Sequence, residues 1–121
     1  MDKNIAILGA TDDPTRYAYK ALKMLQAHRY NPIPVNTFRE TIAGLKAYHS
    51  LPEIPDPVDT VTVYVRPEIS SALTDDFLAI KPRRVIMNPD TENDELAEIL
   101  ERNGIEVVQA CTLVMLQTGQ F

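Results

Sequence analysis

The chain has 121 residues, a formal net charge of −5, 45% hydrophobic and 24% charged residues, and one cysteine. That is the size of one domain with its own core. The single cysteine excludes an internal disulfide framework, the acidic balance argues against a general nucleic-acid binder, and no apolar run reaches the ~20 residues of a membrane helix.

The opening Met1-Asp2-Lys3-Asn4-Ile5 enters a strand pattern at once, leaving no room for a signal peptide; the expectation is a cytoplasmic protein. Ile5 to Leu8 is a continuous apolar run, as in a strand buried on both faces, and ends in Gly9-Ala10-Thr11. Asp13-Pro14 predicts a helix start, with Asp13 as cap and Pro14 in the first helical position. Ala18, Ala21, Leu22 and Leu25 then recur at helical spacing, as far as Arg29-Tyr30-Asn31 before Pro32. Ile33-Pro34-Val35 reads as a second strand whose prolines suit an edge or a strand end. Residues 36–57 are loop-rich, with a short strand near Thr41-Ile42 and a helical turn near Ser50-Leu51.

Val58 to Val65 is the next strand, and Pro67 opens a helix whose stripe is Ile69, Ala72, Leu73, Phe77 and Ile80, running to Pro82. Arg84 to Met87 is a fourth apolar strand. Thr91-Glu92-Asn93-Asp94 resembles a capping box with Asp in place of Glu, ahead of the stripe Leu96, Ala97, Ile99 and Leu100. Gly104 closes that helix. Ile105 to Val108 is a fifth strand, and Thr112 to Gln117 forms a last short helix. This alternation predicts an α/β fold: a Rossmann-type open parallel sheet of about five strands, helices on both faces, with residues 1–121 forming a single domain.

In such sheets ligands lie beyond the carboxyl ends of the strands. Those ends are Gly9-Ala10-Thr11, Asn36-Thr37-Phe38, Val65-Arg66-Pro67 and Asn88-Pro89. The first presents a glycine, a hydroxyl and a following helix with free N–H groups, which suits a pyrophosphate, with Arg16 one turn on. Asp12 and Asp13 would repel a phosphate unless they point away. The alternative reading of Gly9 is a tight strand–helix turn and nothing more; no G-x-G-x-x-G pattern follows it. Charge favours an anion in the first half: residues 1–50 hold seven Lys/Arg against four Asp/Glu, residues 51–121 five against thirteen. The second strand ends Val35-Asn36-Thr37, without the carboxylate that binds ribose hydroxyls in nicotinamide sites.

Gly9-Ala10-Thr11 with Asp13-Pro14-Thr15-Arg16-Tyr17-Ala18 resembles the opening of the small stand-alone CoA-binding proteins, which are similar to the CoA-binding domain of the succinyl-CoA synthetase α subunit. Pro34-Val35-Asn36, Gly44 to Tyr48, Ser50-Leu51, Ile54-Pro55, Val58-Asp59, Val63 to Glu68 and Gly104 to Cys111 match in order over nearly the whole chain. The resemblance implies coenzyme A or acyl-CoA lying across the strand ends. Gly9, Ala10, Thr11 and Arg16 would hold the pyrophosphate, with Asp12, Pro14 and Tyr17 in the same turn. Val35, Asn36, Thr37 and Phe38 would bound the adenosine; Val65, Arg66 and Pro67 would line the adenine or pantetheine path; Met87 and Asn88 would approach the pantetheine end. The chain departs from the family at Thr37-Phe38-Arg39, where proline and small residues are usual, at Arg29 in place of a glycine, and at Met87-Asn88-Pro89-Asp90.

Cys111 reads as a buried small hydrophobe, Tyr17 and Tyr19 as packing residues with a wet edge, and the carboxylates of residues 90–95 as complements to a helix start. His28 and His49 lie apart, and no cluster has metal spacing. No catalytic set can be argued from spacing. Three functions follow: a CoA or acyl-CoA binding module without chemistry of its own, a small nucleotide-dependent enzyme, or a degenerate scaffold for protein contacts. A protein partner or a homodimer stays open.

Overall fold

Residues 3–121 are described by a computed structural model; Met1 and Asp2, where the opening was read, lie outside it. In chain order the elements are β1 (Asn4–Leu8), α1 (Tyr17–Ala27), β2 (Asn31–Val35), β3 (Thr41–Ile42) and β4 (Leu45–Lys46). A 3₁₀ turn at Leu51–Glu53 precedes β5 (Thr60–Val63), α2 (Pro67–Ala72) and α3 (Thr74–Ile80). The chain finishes with β6 (Arg84–Met87), α4 (Asp94–Arg102), β7 (Glu106–Gln109) and α5 (Thr112–Gln117).

Five strands form one parallel sheet in the order β2-β1-β5-β6-β7, while β3 and β4 make a separate antiparallel pair. The chain is thus a Rossmann-like α/β domain, as its alternating pattern predicts. Alternation along β1 sends Ala6 and Leu8 to one face and Ile5 and Ile7 to the other. The first face packs under Phe77 of α3 and Leu96 and Leu100 of α4. The second packs under Leu22 and Leu25 of α1 and Leu116 of α5. Both faces are therefore covered, which is why β1, β5 and β6 read as unbroken apolar or β-branched runs.

The amino ends of the strands are tied by side chains. Asn31 Nδ2 donates to Asn4 Oδ1 at 2.7 Å, and Asn4 Nδ2 donates to the Pro57 carbonyl at 2.8 Å. Arg83 forks onto Asp59 through Nε and Nη2 at 3.0 and 3.1 Å. Burial works to raise the Asp59 pKa, but hydrogen bonds from Arg83 and Thr60, with the charges of Arg83 and Lys3, outweigh it and hold it below the ordinary carboxylate value. Arg84, only 6% exposed, donates to Thr60 Oγ1 and to the Phe121 carbonyl, and its guanidinium carbon lies 4.5 Å from the Phe121 ring centroid. Desolvation lowers its pKa, an effect deepened by neighbouring Arg83.

Several element boundaries differ from the sequence reading. Helix α1 begins at Tyr17, not at Pro14. The Asp13 carboxylate accepts from the Thr15 N–H (3.0 Å) and hydroxyl (2.7 Å), and Arg16 N–H closes on the Asp13 carbonyl, so residues 13–16 form a turn of their own. Helix α1 ends at Ala27, within the limit that Arg29–Asn31 and Pro32 set. The helix drawn from Pro67 to Pro82 is broken at Leu73 (φ −104°, ψ 13°). There the Ser70 and Thr74 hydroxyls bond the carbonyls of Pro67 and Ser71, competing with the helical ladder. Helix α4 is capped by Asn93, whose Oδ1 accepts from Leu96 N–H at 3.0 Å; Thr91 instead donates its hydroxyl to the Asn88 carbonyl. Strand β5 is shorter than Val58–Val65, β7 is shifted one residue beyond Ile105–Val108, and β4 was not foreseen. Arg29 is held at φ +65°, in the left-handed region that favours glycine.

Candidate functional site

The carboxyl edge of the sheet carries three adjoining clefts. The central one, about 220 Å³, lies over Gly9 and Thr11 and is walled by Arg16, Tyr17 and Ala18, by Tyr64, Val65 and Arg66, and by Pro89, Asp90 and Thr91. A second, about 340 Å³, shares Gly9, Thr11 and Val65 and extends past Val35, Asn36, Thr37 and Phe38 to His49, Ser50, Ile69, Leu73 and Asp76. The third, about 370 Å³, shares Tyr17, Tyr64 and Pro89 with the central cleft and runs to Cys111, Leu113, Val114 and Gln117. Together they form a groove from the α2–α3 side, over the strand ends, to the α1–α5 side.

Gly9 makes this passage. Its φ is +91°, and a Cβ there would sit 2.9 Å from Val65 Cγ1 and 3.0 Å from the Tyr64 carbonyl oxygen. Only glycine lets the turn lie this close to the end of β5. The N–H groups of Gly9 and Ala10 both bond the Val35 carbonyl at 3.1 Å. Thr11 Oγ1 accepts from Asp13 N–H at 3.2 Å, which leaves the hydroxyl proton to donate outward. Helix α1 follows without a side-chain cap, and its first two residues, Tyr17 and Ala18, line the central cleft.

The two aspartates are turned to structural work. Asp12 accepts from Ala43 N–H at 2.8 Å and lies 3.5 Å from Arg39, while Asp13 bonds Thr15, whose hydrogen bonds lower its pKa. Arg16, by contrast, has no carboxylate within ion-pair distance among the described residues. Arg66 lies 3.8 Å from exposed Glu68. Asp90, at φ +73°, sets one carboxylate against these two guanidinium groups.

Asn36 fixes the second cleft: its Nδ2 donates to the Ala10 carbonyl at 2.8 Å, and its Oδ1 accepts from Phe38 and Arg39 N–H. That turn projects Phe38 into solvent, 90% exposed. Asn88, 2% exposed, is spent inside the fold, donating to Thr62 Oγ1 and the Val63 carbonyl and accepting from Thr112 N–H; it meets only the third cleft. Tyr64 stands between the central and third clefts. Burial pushes its phenol up to about 12, eased by the nearby Thr62 and Thr112 hydroxyls, although none is aligned well enough to bond it.

Of the residues singled out in the sequence, Gly9, Thr11, Arg16, Tyr17, Val65 and Arg66 meet in the central cleft, and Ala10, Val35, Asn36, Thr37 and Phe38 in the second. Asp12, Pro14, Pro67 and Met87 line none of the three; Met87 is buried, its sulfur accepting from Asn93 N–H. Tyr17 is 69% exposed, rather than a packing residue, and Cys111 is a half-buried cleft wall, rather than a buried core atom. Pro89 belongs to the Asn88-Pro89 strand end read from the sequence, whereas Tyr64, placed inside a longer strand, and the α5 residues carry no sequence signal for the site. Among the described residues no group of three or more His, Cys, Asp or Glu could hold a metal, and no helix is long and apolar enough to cross a membrane.

The chain is 32% identical over 106 residues to the uncharacterized protein YneT of Bacillus subtilis, covering 88% of this chain and 78% of that one. It is 38% identical over 64 residues to the α subunit of the ADP-forming acetate–CoA ligase II of Pyrococcus furiosus, covering 52% of this chain but 14% of that subunit. A crystal structure of an uncharacterized protein superposes with a TM-score of 0.93 at 45% identity, covering 100% of this chain and 99% of its own. Residues 3–117 match the CoA binding domain family, and the chain belongs to that family.

Proposed function

We propose that this chain binds coenzyme A in the groove over the strand ends and performs no chemical step by itself. The observation that carries this reading is the Gly9–Thr11 turn: a close backbone approach, an outward hydroxyl and an uncapped helix start, with Arg16 as a cation. These groups suit a pyrophosphate. The cleft beyond Asn36, with Phe38 at its rim, suits the adenosine, Phe38 offering a face on which adenine stacks. The pantetheine arm then leaves between Tyr17 and Tyr64. Family membership and the ligase subunit, a protein named for its CoA chemistry, support the same ligand.

Thermal unfolding with CoA, dephospho-CoA, ADP and NAD tests it. CoA at 100 times its Kd adds about 2.7 kcal/mol, a rise of roughly 10 °C for a domain of this size. CoA should exceed ADP and NAD, and incubated acyl-CoA esters should be recovered intact. No shift at millimolar CoA overturns the reading, and turnover of the ester overturns its second half.

A further inference from the structure

The third cleft differs in kind from its neighbours. None of the residues that line it carries a charge, whereas the central cleft has Arg16, Arg66 and Asp90, and the second has Asp76. Its walls are the Tyr17 and Tyr64 rings, Pro89, and Cys111, Leu113 and Val114 at the start of α5. Its one buried amide, Asn88, has both ends engaged within the fold and offers nothing to a ligand. Tyr17 and Val114, which both line it, are 69% and 52% exposed. The cleft also opens directly from the central one, through Tyr17, Tyr64 and Pro89. A ligand whose phosphates sit over Gly9 and whose arm passes Tyr64 would deliver its far end here.

We propose that this cleft is an acyl subsite, so that the preferred ligand is an acyl-CoA with a short or medium aliphatic chain lying between Tyr17, Cys111 and Val114. This rests on the coenzyme A reading and adds the chemistry of the ligand's other end. An uncharged wall made mostly of rings and aliphatic side chains gains from covering methylenes and offers no cation to a charged acyl group; its free polar groups are the unpartnered Tyr64 hydroxyl and the Gln117 amide. Free CoA would leave the hollow wet; a dicarboxylic acyl group would bring a carboxylate into a cleft with no cation to meet it.

Calorimetric titration of CoA and of its acetyl, butyryl, hexanoyl, octanoyl and succinyl esters tests this. Each methylene taken up tightens binding about two- to fourfold, the upper figure being full burial. Affinity should climb along the aliphatic series until the cleft is full, with the succinyl ester weaker than butyryl. Val114→Glu, at a half-exposed position, should flatten the series while the affinity for CoA itself is kept, and Val114→Ala should lower its slope. CoA binding with no dependence on chain length, or a series unaltered in both variants, overturns the acyl subsite and leaves the coenzyme A reading intact. Failure of CoA and every ester to bind overturns both.

Discussion

The two ends of the parallel sheet treat their polar groups in opposite ways. At the amino end, side chains satisfy one another across the strands: Asn31 with Asn4, Arg83 with Asp59, Arg84 with Thr60 and the Phe121 carbonyl. At the carboxyl end the carboxylates of Asp12 and Asp13 are likewise consumed, but Arg16 and Thr11 line a groove beside the uncapped start of α1. The same sheet thus has a closed base and an open rim. A base built this way contributes to stability; a rim built this way contributes to binding, because donors already in place need little reordering when an anion arrives.

Substitutions should separate the two. Gly9→Val breaks the rim by sterics: the positive φ and the 2.9 Å contact with Val65 together should lower stability by about 3 kcal/mol and abolish CoA binding, read by denaturant unfolding and calorimetry. Arg84→Ala is its counterpart at the base. It should cost about 2 kcal/mol and leave the CoA affinity per folded molecule unchanged. Arg16→Ala should do the reverse, weakening CoA about tenfold with unfolding shifted by less than ~0.5 kcal/mol. A loss of stability there would mean that Arg16 belongs to the fold.

Asp59→Asn sharpens the comparison through pH. Because the folded-state pKa of Asp59 lies below the ordinary aspartate value of 3.8, its stabilisation is fully present above that value and is lost as pH falls through the depressed one. The variant should be less stable by about 1 kcal/mol at pH 7, a figure discounted for the half-exposed Arg83, and the gap should close in acid below about pH 4. Phe38→Ala gives the smallest change. Stability should not move, and CoA affinity should fall about fivefold if adenine stacks there.

The strands were legible because burial on both faces leaves unbroken runs such as Ile5–Leu8 and Arg84–Met87, and the two prolines correctly put β2 at the sheet edge. Helix starts were less so. A Ser, Thr, Asp or Asn before a helical stripe has several acceptors or donors within reach, and the sequence does not say which it takes: Asp13 took Thr15, and Thr91 took the Asn88 carbonyl. The break at Leu73 was hidden for the same reason, since its causes are hydroxyls whose partners lie three residues back. At the rim, Gly9, Thr11 and Arg16 stood out because they are close in sequence. The third cleft did not, because Tyr17, Tyr64, Pro89 and Val114 come from four separate segments that only the fold assembles.

The edge strand β2 has one more effect, on how copies of the chain can meet. Pro32 and Pro34 offer no N–H, and the Pro34 carbonyl already accepts from Tyr48 N–H at 3.0 Å, while Tyr48 returns its own carbonyl to Asn36 N–H at 2.9 Å. A foreign strand laid along this border would find few hydrogen-bonding groups to template it. The border open to strand addition is the opposite one, β7, which has no proline and whose first residue, Glu106, lies 3.8 Å from Arg83.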